Sequence, residues 1–157
     1  MLTEPAYWII VGSPANFKRS RELGFTVQGI KSRHRKRAEK MQPGDRLAYY
    51  LTGLKVFGGI ATITSRYFES HGRVWSSDDP GKAAEDYPFR VYIKPDHILE
   101  IESYIDAEPI ARQMEYARKW PAANWTLAFQ GNVHAIPEGD FRLIEQAIVE
   151  RSGHVVA

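Results

Sequence analysis

An α+β fold, a small closed β-barrel of about five to six strands decorated with several helices, is what this 157-residue chain predicts. Three observations point there. Short aromatic and β-branched runs recur along the chain. Glycines fall inside those runs, where a barrel corner or bulge would need them. Helix start and stop signals occupy the stretches between.

In order, Tyr7-Trp8-Ile9-Ile10-Val11 reads as a buried strand, being apolar without a break. Ser13 then caps a helix with Pro14 at its first position, ending at Glu22 or Leu23 before Gly24. Phe25 to Ile30 reads as a connector and Lys36 to Met41 as a short helix closed by Pro43-Gly44-Asp45. Arg46 to Leu51 is a strand and Thr52-Gly53 a tight turn. The β-branched run from Lys55 to Phe68 is broken by Gly58-Gly59. Ser70 to Asp86 is a polar loop tipped by Asp78-Asp79-Pro80-Gly81, with Trp75 its one large apolar residue. Phe89 to Lys94 and Ile98 to Tyr104 alternate apolar with charged residues, as half-exposed strands do. Pro109 to Arg118 reads as helix and Trp125 to Phe129 as strand. Phe141, Ile144, Ala147 and Ile148 set the apolar face of a closing helix over Pro137–Arg151.

The composition narrows the functional classes. With 43% hydrophobic and 25% charged residues the chain has ordinary globular content, enough for one domain over residues 1–157 with a real core. It contains no cysteine, which removes disulfides, thiolate catalysis and cysteine metal sites. No apolar run reaches membrane-spanning length and no signal-peptide pattern opens the chain, so a soluble cytoplasmic protein is expected.

Charge is unevenly placed. Residues 17–46 carry ten of the 21 Lys and Arg but three of the 19 acidic residues, a local charge of +7 hidden within a whole-chain charge of +2. Its sharpest part is Lys31-Ser32-Arg33-His34-Arg35-Lys36-Arg37. Such a patch steers polyanions and gains from counterion release, although a charge run is also simply a solvated helix face. Basic residues with aromatics nearby grip a backbone and stack a base, and Arg33, His34, Arg35, Lys36 and Arg37 are the phosphate-binding candidates. Catalysis has no comparable support. The five histidines are scattered, and no phosphate loop or nucleophile elbow is present. Asp78, Asp79 and Asp86 share a loop that would hold a cation in principle, but Asp-Asp-Pro-Gly is ordinary turn chemistry. No enzyme activity, cofactor or metal is expected.

Several of these segments, taken in order, resemble the EVE domain. They are Tyr7-Trp8-Ile9, Gly29-Ile30 with His34 four residues on, and Met41-Gln42-Pro43-Gly44-Asp45 leading into a Tyr-Tyr strand. Gly59-Ile60-Ala61-Thr62-Ile63, Tyr87-Pro88-Phe89-Arg90-Val91, Trp125 and Pro137-Glu138-Gly139-Asp140-Phe141 continue the series. The resemblance implies a PUA-like fold, a mixed β-barrel wrapped by helices, related to YTH domains. It also implies a non-enzymatic reader that takes a modified, often methylated, base out of the stack into an aromatic pocket. Gly29, Ile30 and Lys31 would then line the pocket, and Trp8, Trp75, Phe89 and Trp125 would be its ring candidates. Ser13 and Asn132 would be partners for the base edge. Two departures stand out. His34 is followed by Arg35-Lys36-Arg37 where many EVE domains have Gly-Lys. Lys31 stands where YTH relatives place a cage tryptophan, so neither a three-walled cage nor a methylated adenine is implied.

The expected partner is nucleic acid, DNA or RNA, with no membrane and no inference about oligomeric state. General RNA binding through the basic segment alone, and a small-molecule or nucleotide sensor, remain the alternative readings.

Overall fold

The computed structural model describes residues 4–75 and 87–153. The chain runs β1 (Tyr7–Gly12), α1 (Pro14–Glu22), β2 (Val27–Ile30), a 3₁₀ turn (Ser32–His34) leading into α2 (Arg35–Lys40), β3 (Arg46–Leu51) and β4 (Val56–Ile63). Next come β5 (Phe68–Glu69), β6 (Phe89–Ile98), a 3₁₀ turn (Ile101–Ser103), β7 (Ile105–Asp106) and α3 (Ala107–Ala111). Two further 3₁₀ segments (Tyr116–Lys119 and Ala122–Phe129) precede β8 (Val133–Ile136) and α4 (Glu138–Gly153). The strands are ordered β2-β6-β4-β3-β1-β8, with β5 on β6 and β7 on β4, and β1 and β3 run parallel. This is the mixed sheet the sequence predicts, curled into a half-barrel.

Alternation along β1 explains its unbroken apolar sequence. Trp8 and Ile10 point into the barrel interior with Ile30, Leu47, Ile63 and Val91. Tyr7, Ile9 and Val11 point outward under α4, against Phe141, Ile144 and Ile148. A parallel pair covered on both faces has no position left for a polar side chain. The same alternation parts Tyr49, which faces the interior, from Tyr50, which stacks on Phe129 outside at 4.5 Å between centroids.

The Pro43-Gly44-Asp45 turn owes its place to a buried carboxylate. Asp45 is 2% exposed and accepts from the Ala6 N–H at 2.9 Å, the Trp8 indole N–H at 3.1 Å and the Gln42 N–H at 3.0 Å. Trp8 is thereby held in the interior. Asp140 does the same elsewhere, accepting from the Glu115 and Tyr116 N–H groups at 2.9 and 2.8 Å.

Several expectations are corrected. Val27–Ile30 is a strand, not a connector, since it pairs with β6 over four residues. Trp125–Phe129 is a 3₁₀ segment, since the Trp125 and Phe129 rings lie 6.0 Å apart, whereas an extended chain would separate residues four apart by about 13 Å. The alternation over Ile98–Tyr104 ends in a 3₁₀ turn that leaves Ile101 68% exposed. The Gly58-Gly59 region keeps its strand but carries register shifts against both neighbours. β8 had no clear sequence signal. The barrel is also not closed by hydrogen-bonded strands: among the described residues no ladder joins β2 to β8. The Asp78-Asp79-Pro80-Gly81 turn and the Asp78, Asp79, Asp86 cation candidate lie outside the described residues. No helix among them is long and apolar enough to cross a membrane.

Candidate functional site

The open seam of the barrel is where polar side chains collect. Asn132 bridges it: its Oδ1 accepts from the Lys31 N–H at 2.9 Å, and its own carbonyl accepts from the Val11 N–H at 2.8 Å. Beside Asn132 lies a narrow cleft of about 20 Å³ between the ends of β1 and β3, the first turns of α1, and β2. The cap that starts α1 is the predicted one, with Ser13 Oγ accepting from the Asn16 N–H at 3.1 Å and Pro14 in the first turn.

The polar floor is Gln28 and Tyr49. The Tyr49 hydroxyl donates to Gln28 Oε1 at 2.8 Å, and Gln28 Nε2 donates to the Gly29 carbonyl at 2.9 Å. Burial pushes the Tyr49 phenol well above its ordinary range, so it stays a neutral donor. The wall is aromatic. Trp75 packs against the Gly29 backbone, so close that a Cβ there would sit 2.5 Å from the ring. Its indole N–H donates to Ser20 Oγ at 2.9 Å. Tyr87 meets Trp75 edge-on at 6.0 Å, and its hydroxyl accepts from Asn16 Nδ2 at 3.3 Å. Buried Arg90 braces the wall, its guanidinium 5.2 Å from the Trp75 ring and its Nε–H donating to the Tyr87 carbonyl at 3.1 Å. With the wall in place, the free space inside is that of about one water molecule.

Of the sequence candidates, Trp75 and Asn132 line this cleft and Gly29 lies directly beneath Trp75. Lys31 stands at the rim, its ammonium 5.7 Å from the Tyr87 centroid. Ile30 is fully buried in the barrel interior and Ser13 is occupied as the helix cap. Three rings do not line the cleft. Strand alternation turns Trp8 and Phe89 into the interior, and Trp125 packs on the opposite face of the sheet against Tyr50 and Phe129. Sequence reasoning did not nominate Asn16, Ser20, Gln28 or Tyr87 for the pocket. Tyr49 was legible as a stacking candidate, since alternation lets only one of Tyr49 and Tyr50 face the interior.

The basic segment begins where the cleft ends. From Lys31 the chain turns through Ser32–His34 into α2, which anchors itself by Ala38 and leaves Arg33, Arg35, Lys36 and Arg37 exposed. Arg35 pairs with Glu39 at 3.0 Å and its guanidinium lies 5.6 Å from the Phe89 centroid. Arg37 Nη1 donates to His34 Nδ1 at 3.0 Å. Burial, then the charges of Arg37 and Arg33, push His34 down to about 4, so this imidazole is neutral near pH 7 while its neighbours are cationic. No group of His, Asp or Glu among the described residues is arranged to hold a metal ion.

Comparison with known proteins gives a consistent result. The sequence model of the EVE domain matches residues 6–147. The UPF0310 protein PH1033 of Pyrococcus horikoshii is 27% identical over 153 residues, 91% of this chain and 99% of that protein. Among solved structures, the YTH domain-containing protein mmi1 in an RNA complex superposes with a TM-score of 0.66 at 13% identity, covering 96% of this chain and 88% of that one. The YTH domain of Zygosaccharomyces rouxii MRB1, solved with N6-methyladenosine RNA, superposes with a TM-score of 0.63 at 14% identity, covering 92% and 87%.

Proposed function

This chain belongs to the EVE domain family, and from that premise we propose that it is a non-enzymatic nucleic-acid-binding module reading a modified base. The observation that carries the reading is the juxtaposition at Lys31. A cleft with an aromatic wall and a polar floor meets a run of exposed cations there, joined through one backbone-to-Asn132 hydrogen bond. Arg33, Arg35, Lys36 and Arg37 hold phosphates by charge and bidentate contact. The base of the neighbouring nucleotide enters the cleft, stacks on Trp75 or Tyr87, and meets Asn16, Gln28 and Tyr49 with its edge. That the two YTH structures were solved with RNA, one carrying N6-methyladenosine, supports this choice of ligand. Entry requires the wall to move, because the space now holds little more than water. Unstacking the base costs a few kcal/mol, and aromatic stacking at about 1–3 kcal/mol per base, with edge hydrogen bonds, offsets it.

The narrowness of the cleft also favours a second reading, in which strands bind through the basic segment alone and no base enters. Titration of matched modified and unmodified oligonucleotides at two salt concentrations separates the two. Base reading predicts a preference for one modified strand that survives the higher salt and disappears in Trp75→Ala. Arg33→Gln with Arg35→Gln should weaken all strands alike and reduce the logarithmic salt slope by about 1.4 for single strands. Salt-sensitive binding with no preference would leave only the basic segment. No binding to any strand would refute both.

A further inference from the structure

Beyond the pocket, a second cleft of about 230 Å³ opens between α3 and the 3₁₀ segments that follow it. Arg112 and Arg118 stand at it, with Trp120 and the edge of Trp125 as its aromatic surface and small alanines between. Resting on the reading above, we propose that this cleft is a second nucleotide site for the same single strand. Trp120 would stack a base, and Arg112 and Arg118 would hold its phosphates.

The route between the two sites is continuous. Arg37 Nη1 donates to His34 Nδ1 at 3.0 Å, and the His34 ring lies against Gly131, where a Cβ would be 3.7 Å from Nε2, beside Gln130 whose carbonyl meets His134. His134 is kept neutral mainly by burial. Its Nε2–H donates to the Gln130 carbonyl, leaving Nδ1 to accept from the Tyr116 hydroxyl at 2.8 Å. Trp120 packs on the other side of Tyr116, 5.7 Å away and tilted by 58°, while the Lys119 ammonium sits 4.9 Å from the Tyr116 centroid. Arg33, Arg37, Lys119, Arg118 and Arg112 thus form a cationic track past half-buried rings, the combination that follows a single strand. The platform is fixed from below, since the buried Asp140 carboxylate holds the Glu115 and Tyr116 N–H groups. Acidic competition is slight. Glu108 approaches Arg112 at 3.7 Å, but both are largely exposed and the pair gives way to phosphate at little cost. Glu115 is exposed beside the platform.

The test is a length series of unmodified single strands, from about four to about twelve nucleotides, the range over which such grooves fill. The wild-type protein should gain affinity with length. Arg112→Gln with Arg118→Gln, both exposed and outside the pocket and basic segment, should bind short strands as wild type does and lose about tenfold on long ones. Trp120→Ala should lose about 5-fold to about 160-fold on long strands, the worth of one stacked base, and Trp120→Phe should recover part of it. A double variant with the wild-type length dependence would overturn the second site while leaving base reading intact. Failure of the wild-type protein to bind strands of any length would sink both.

Discussion

Substituting Gly29 by alanine tests whether the pocket wall is built as described. A Cβ at position 29 would lie 2.5 and 2.6 Å from Trp75 Cζ3 and Cε3 and 2.8 Å from Tyr87 Cβ. Ordinary carbon contacts need about 3.5–4.0 Å, so the indole must retreat by roughly 1 Å. It has little freedom to do so, with Ser20 Oγ on its N–H and the Arg90 guanidinium over its face. If the ring stays, overpacking costs about 1–3 kcal/mol. If it swings out, it forfeits the Ser20 hydrogen bond, about 0.5–1.5 kcal/mol, and its burial at 5% exposure as well. The loss by either route falls within about 1–4 kcal/mol. Urea unfolding reads the stability, and indole emission reads the ring. A red-shifted component should appear in Gly29→Ala and be absent when Trp75→Phe is added. Preference for the modified strand should fall while the salt slope stays put, because the basic segment is untouched. An unchanged urea midpoint with unchanged emission would show that Trp75 does not rest on Gly29, and the pocket geometry argued above would be wrong.

Asp45→Ala removes the acceptor of three donors, the buried Trp8 indole N–H and the part-buried N–H groups of Ala6 and Gln42, and should cost about 2–4 kcal/mol after partial rehydration; a midpoint shift worth under about 1 kcal/mol would contradict this role. His34 has a folded value of about 4 against an ordinary 6.5, so between those limits the unfolded chain holds the extra proton. Stability should therefore fall as pH drops through that window, by about 1 kcal/mol once solvent screening is allowed for, and His34→Gln should flatten the trend. Identical pH slopes for the two proteins would remove His34 as the cause. Asn132→Ala leaves the Lys31 N–H without its partner and should cost about 1–3 kcal/mol. Hydrogen exchange at the Lys31 amide should accelerate, and undiminished protection there would argue against the seam.

What the sequence revealed and concealed follows from the range of the forces involved. β1, β3, α1 and α4 are legible because their signals are local: an apolar run, a Ser13-Pro14 start with Gly24 beyond the end, a helical apolar stripe. β2 and β8 are four residues each and owe their strand character to the partners β6 and β1. The basic segment was equally plain, since charge density needs no tertiary knowledge. The pocket was plain only in part: Gly29, Trp75 and Asn132 were candidates, but that the bare backbone of Gly29 seats Trp75 is visible only in the fold. The cationic track past Tyr116 was hidden for a related reason. Arg37, Tyr116, Lys119 and His134 come from three separate segments, none of which is unusual alone.

The position of the open seam has a physical logic that joins fold to site. A ladder between β2 and β8 would spend the polar groups of both edges on each other and leave nothing for a ligand. Here the Lys31 N–H is satisfied by a side-chain amide instead, and Asn132 is 2% exposed, so the closure is protected from water although it is not a strand pairing. The same single contact fixes where the basic segment starts, because Lys31 is the last residue before the 3₁₀ turn carrying Arg33. A strand whose phosphates lie on Arg33 and Arg37 is therefore registered against the cleft by one hydrogen bond rather than by a flexible loop. Phosphate grip and base entry should accordingly be coupled. In a double-mutant cycle, Arg33→Gln and Trp75→Ala should lose less together than the sum of their separate losses on a modified strand, whereas strict additivity would mean that the two sites bind independently.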